Sequence, residues 1–182
     1  MRGVGGVGRR RFLAMTGAAG LTALAFPAAA ARRVLPLRSL AFQNLHTGER
    51  LKTVYWADGS YLPDALQDID WLLRDFRTGE THAMDPRLLD LLADLHGRLR
   101  TTEPFHVISG YRSPQTNAML AATTDGVAQN SMHLEGKAID IRVPGRRLQH
   151  VRAAAASLRQ GGVGYYPQSD FVHVDTGNLR YW

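Results

Sequence analysis

The sequence predicts an α+β fold: a small antiparallel sheet packed with helices. Two observations point to it. Helix-period apolar stretches come early, at residues 62–76 and 86–99, whereas most of the short β-type runs cluster after residue 104. Those later runs do not alternate one by one with helices, so a parallel βαβ series is not indicated.

The elements follow in order. Residues 39–46 and 50–56 flank Thr47-Gly48 and read as a β-hairpin. Residues 62–76 open on Pro63-Asp64 and carry Leu66, Ile69, Leu72, Leu73 and Phe76 at helical spacing, and residues 86–99 repeat the pattern with Leu88, Leu89, Leu92, Leu95 and Leu99. Such stripes are the core-facing sides of amphipathic helices. Residues 105–109 form a strand. Ser113-Pro114 is an N-cap with proline in the first helical position, opening a helix to about residue 121. A loop at 123–129, a strand at 138–143, an alanine-rich helix at 146–160 and strands at 162–165, 171–175 and 179–182 complete the chain.

The first 31 residues stand apart. Arg9-Arg10-Arg11-Phe12-Leu13 is a twin-arginine pattern, followed by a mild apolar run and by Ala28-Ala29-Ala30-Ala31, where A-x-A cleavage can occur. That run is too short and too rich in Gly, Ala and Thr to span a bilayer, which takes roughly 20 apolar residues. Residues 1–31 are therefore expected to be a twin-arginine signal peptide, leaving one domain over 32–182 with no stable membrane span, delivered to the periplasm. The leader contains Arg2, Arg9, Arg10 and Arg11 and no acid, so the formal charge of +6 falls by four in the mature chain. The remaining basic residues are scattered, and nucleic-acid binding is not supported. With no cysteine there is neither a disulfide framework nor a thiol nucleophile. Gly3-Val4-Gly5-Gly6-Val7-Gly8 matches a dinucleotide-binding pattern only by letters, since no strand precedes it.

The chemistry concentrates in two places, residues 131–140 and 170–175. His133, Asp140 and His173 can bind one zinc ion with three protein ligands and leave a fourth position open for water. If Gly136-Lys137 makes a two-residue turn, antiparallel pairing places His133 opposite Asp140, with Cβ atoms about 4.5–5.5 Å apart. His173 then comes from a third strand. The other histidines, His46, His82, His96, His106 and His150, lack ligand spacing to this set.

Ser109-Gly110-Tyr111-Arg112-Ser113, then Ser131-x-His133-x-x-Gly136-x-Ala138-x-Asp140, then His173, resemble the zinc D-Ala-D-Ala metallopeptidases, which share a fold with hedgehog domains. Asn44-Leu45-His46-Thr47-Gly48-Glu49, Gly161-Gly162-Val163-Gly164-Tyr165-Tyr166 and Phe171-Val172-His173-Val174-Asp175-Thr176-Gly177 are similar to the periplasmic murein endopeptidase subgroup among them. The resemblance implies one Zn2+ per chain on His133, Asp140 and His173, and hydrolysis of peptidoglycan cross-links by metal-activated water, by an enzyme expected to be a monomer. It implies that Arg112 stabilises the oxyanion. Tyr111, Arg112 and Ser131 are expected to touch substrate, although Ser131 serves equally well to hold the His133 loop. For the general base the resemblance points to Asp170. In a regular strand Asp170 and His173 point to opposite faces, while Asp175 shares the face of His173, so Asp175 is either the base or the carboxylate that orients a ligand. The same metal site suits a D,D- or L,D-carboxypeptidase acting on stem peptides. A non-catalytic wall-binding module is the rival of another class. Three ligands favour an enzyme, because closed structural zinc sites use four.

Overall fold

A computed structural model describes residues 36–124 and 128–182. The expected signal peptide, and part of the loop expected at 123–129, lie outside the described residues. No helix among those described is long and apolar enough to cross a membrane.

The strands are β1 (Arg38–Asn44), β2 (Arg50–Ala57), β3 (Ser60–Tyr61), β4 (Phe105–Ser109), β5 (Ala138–Arg142), β6 (Gly162–Tyr166), β7 (Phe171–Asp175) and β8 (Arg180–Tyr181). The helices are α1 (Pro63–Leu72), α2 (Pro86–Leu99), α3 (Pro114–Thr123) and α4 (Leu148–Leu158), and a 3-10 turn occupies Met132–Glu135. All eight strands join one sheet in the order β3-β2-β1-β4-β5-β7-β6-β8. The class is α+β, as expected. The sheet is larger than expected, and it is mixed, because β1 runs parallel to β4 and β6 parallel to β8. A strand that pairs beside a partner only after a long excursion through two helices is free to run parallel to it, as β1 and β4 do.

Alternation along the strands sorts the two faces. Phe42 lies opposite Phe105, Val107 opposite Ile141, Ile139 opposite Val174, and Val174 opposite Val163. All are buried and belong to one apolar core that includes Leu88, Leu89, Leu92 and Leu95 of α2 and Val151 and Ala155 of α4. The other face presents polar residues in matching register, with Gln43 opposite His106, His106 opposite Arg142, and Asp140 opposite His173.

Local chemistry sets the helix ends. The Asp85 carboxylate caps α2 by accepting from the backbone N–H of Arg87, Pro86 takes the first helical position, and Arg100 closes the helix in the left-handed region. In α3 the Ser113 hydroxyl accepts from the Thr116 N–H. Helix α1 ends at Leu72, four residues short of the periodic stretch, because Asp75 turns away to accept from the backbone N–H and the hydroxyl of Ser113 at 2.9 and 2.7 Å. The loop after α1 thereby clamps residues 110–113, and the Tyr111 N–H donates to the Leu73 carbonyl at 2.8 Å.

Candidate metal centre

His133 does not lie on a strand opposite Asp140. The expected hairpin is replaced by the 3-10 turn Met132–Glu135, in which the Ser131 hydroxyl accepts from the His133 N–H at 3.4 Å. Gly136 does take a positive φ of 64°, but to end this turn rather than to join two strands. The residue that faces Asp140 across the ladder is His173. Side chains from the 3-10 turn, β5 and β7 nevertheless converge. His133 Nε2 lies 3.2 Å from His173 Nδ1 and 3.3 Å from Asp140 Oδ1, and His173 Nδ1 lies 2.9 Å from Asp140 Oδ1. All three residues are buried.

These separations suit a metal ion. Zinc bonds of about 2.0–2.1 Å at tetrahedral angles put neighbouring donor atoms about 3.3 Å apart. The outer ring nitrogens are also engaged in the way that metal-binding imidazoles need. His133 Nδ1 lies 2.7 Å from the Gly110 carbonyl oxygen, an acceptor only, so it must be the protonated nitrogen and Nε2 keeps its lone pair. His173 Nε2 donates to Asp175 Oδ2 at 2.9 Å, which leaves Nδ1 as the candidate ligand atom. Burial opposes charge on His173, yet Asp140 and Asp175 outweigh it and raise its pKa to about 9. Burial would likewise lift Asp140, but His133 and His173 hold it well below the usual carboxylate range. The preference for positive charge between these carboxylates is one that a divalent cation satisfies by displacing protons.

Asp175 is completely buried and its acceptors are taken. Besides His173 it accepts from the N–H groups of Gly162 and Gly177 and from Arg180 Nη2 at 2.8 Å. A Cβ on Gly162 would lie 2.5 Å from its carboxylate, so β6 is glycine there to let the backbone approach. Gly164, opposite His173, would carry a Cβ 2.7 Å from the Trp182 ring, which stands 5.3 Å from the His173 ring and donates through Nε1 to the Tyr166 hydroxyl. Nothing in the sequence reading singled out Trp182. Its only signal was the glycine pattern across the strand.

Arg112 reaches the other side of Asp140, with Nη2 3.8 Å from Oδ2. Burial lowers its pKa and Asp140 raises it, and its Nε is buried with no partner among the described residues. Tyr111 is nearly buried and stacks on His82 at 4.8 Å, so its ring braces the wall of the loop. Asp170 takes a left-handed φ of 54° just before β7, and its exposed carboxylate pairs with Arg142 at 2.9 Å. It makes no contact with the histidine pair, whereas Asp175 does. The regular strand anticipated from the sequence is present over Phe171–Asp175, and the bend comes at Asp170 itself.

Three buried candidate ligands beside a buried arginine, gathered on one face of the sheet, are the arrangement that a metallopeptidase uses. Comparison with known proteins narrows the class. Residues 32–182 match the family described as peptidoglycan L,D-endopeptidase MepK, and the chain belongs to that family. It is 43% identical over 175 residues to the peptidoglycan L,D-endopeptidase MepK of Escherichia coli strain K12, covering 96% of each chain. It is 48% identical over 147 residues to the probable peptidoglycan L,D-endopeptidase MepK of Haemophilus influenzae, covering 80% of this chain and 78% of the relative.

Proposed function

We propose that this protein is a zinc-dependent endopeptidase that cuts peptide cross-links of peptidoglycan in the periplasm, reached by the twin-arginine route. The observation that carries the reading is the convergence of His133 Nε2, Asp140 Oδ1 and His173 Nδ1 at tetrahedral spacing, with both outer imidazole nitrogens engaged. The names of the relatives supply the substrate class, and the twin-arginine pattern ahead of the domain supports the destination.

Bound to these three residues, zinc would polarise the scissile carbonyl and lower the pKa of a water toward about 7. The chain's own groups do the rest. His133 and His173 are held in one orientation each by the Gly110 carbonyl and by Asp175. The Arg112 guanidinium, beside Asp140, stabilises the negative charge that develops on the carbonyl oxygen. Asp175 has no free acceptor and acts by orienting His173. Asp170 is the carboxylate left to take the proton from the attacking water and pass it to the leaving amine, once it has left Arg142. Ser131 fixes the turn that bears His133.

Incubating the mature protein and zinc with cross-linked muropeptides, followed by mass analysis, tests this. Monomers from dimers are expected. Loss of terminal residues alone would make the protein a carboxypeptidase, and unchanged dimers would make it a binding module.

A further inference from the structure

The open face of the sheet continues past the candidate ligands as a polar row that includes Arg142, Arg50 and Lys52. Arg142 follows Asp140 by two residues on β5, so it shares that face about 7 Å further along. His106 lies across from Arg142, Gln43 across from His106, and Arg50 across from Gln43, with Lys52 next on β2. Burial and the fields of Arg142 and Arg50 together push the His106 pKa down, as expected where cations crowd an imidazole, and Glu103 only partly offsets them. Among the described residues neither Arg50 nor Lys52 pairs with a carboxylate.

Arg142 itself is incompletely satisfied. Its Nη1 meets Asp170 Oδ2 at 2.9 Å, but its Nε is buried without a partner. A guanidinium binds a carboxylate through its N–H groups, and here the exposed part of the side chain, whose Nη1 now meets Asp170, is what a ligand carboxylate can reach. Asp170 is 62% exposed, so its ion pair is of the weakly held surface kind. The arrangement is a cation with a replaceable counter-ion, placed one pleat from the metal ligands.

We propose that Arg142, backed by Arg50 across the sheet, is a specificity subsite that binds a free carboxylate of the peptide substrate beside the scissile bond, in exchange for Asp170. This rests on the peptidase reading and deepens it. A peptide whose carbonyl sits at the metal centre has its neighbouring residue about 3.3 Å further along, so a free carboxylate on that residue comes within reach of the long Arg142 side chain. Exchange at Arg142 also frees the Asp170 carboxylate, so the charge that identifies the substrate releases the group that handles the proton.

The test uses two cleavage-resistant cross-linked peptides, with the scissile amide replaced by a methylene-amine. One carries the free carboxylate and the other its carboxamide. Calorimetric titration of the metal-loaded protein is expected to show the acid bound about tenfold more tightly than the amide, the margin of one charge-assisted contact. Arg142→Gln should bind the two alike, and Asp170→Asn should widen the gap by removing the competing counter-ion. Arg142→Lys, which keeps the charge, should retain part of the preference and guards against a folding defect in Arg142→Gln. Equal affinity for both peptides in the unaltered protein would overturn the subsite, as would loss of affinity for both peptides equally in Arg142→Gln with Arg142→Lys unchanged. Hydrolysis of the unmodified peptides is scored separately. Cleavage without discrimination leaves the peptidase and removes the subsite, whereas Arg142-dependent binding without cleavage does the reverse.

Discussion

Asp140 on β5 stands directly opposite His173 on β7, and the Asp140 Oδ1 to His173 Nδ1 distance is 2.9 Å. Two of the three candidate ligands are therefore set by main-chain pairing, and only His133 depends on a turn. The purified protein is expected to hold one zinc ion. His133→Ala, Asp140→Ala and His173→Ala should each lose it together with hydrolysis, since two remaining ligands give too little affinity. Metal analysis after dialysis checks this, and full zinc content in any variant removes that residue from the set.

The two acids should separate by readout. Asp175→Asn is expected to weaken zinc affinity by about 10- to 100-fold, the usual cost of losing the partner that orients a ligand. Asp170→Asn should stay zinc-replete and lose most of its single-turnover rate. An active, zinc-replete Asp170→Asn enzyme would end its assignment as base.

Arg112→Ala should keep its metal and lose roughly 100- to 1000-fold in turnover, the range for one oxyanion donor. Normal turnover with a lower melting temperature would leave Arg112 as a brace between Asp140 and Asn117.

Much of this was legible in the sequence. The bounds of α2 agree with the periodic stretch at both ends, because Asp85, Pro86 and the leucines all specify the same helix locally. The Ser113 cap and β7 were likewise written in neighbouring residues. What escaped depended on distant partners. Helix α1 stops early for Ser113, 38 residues away from Asp75. The β1–β4 pairing is parallel and non-local. Gly136 fits a hairpin turn and a 3-10 cap equally well, so the three residues that converge could be read off while the partner of Asp140 could not.

Gly164→Ala is expected to destabilise the fold by about 1–3 kcal/mol, the range for an overpacked site. The added Cβ would fall 2.7 Å from the Trp182 ring and push it off the Tyr166 hydroxyl. Urea unfolding of Gly164→Ala, Trp182→Ala and the double variant should reveal a coupling, with the second change relieving part of the first.

His96 supplies a pH signature away from the metal. It stacks on Phe105 at 4.0 Å, and burial lowers its pKa from its ordinary value of about 6.5. The unfolded chain then binds a proton that the folded one refuses, so the stabilising contribution is full above about pH 6.5 and is lost as pH falls below that value toward the lowered pKa. His96→Leu should flatten that part of the stability profile in chemical unfolding between pH 7 and pH 5. An unchanged slope would place the titration elsewhere.

The chain contains no cysteine, so no disulfide can cross-link it. His133 and His173 lie 40 residues apart in sequence yet bring their ring nitrogens within 3.2 Å. An ion shared between them closes that loop as a disulfide would, and a closed loop of this length deprives the unfolded chain of entropy worth on the order of 3–4 kcal/mol. Chelation should therefore soften the fold as well as silence the enzyme, with a bound metal standing in for the covalent staple that the chain lacks.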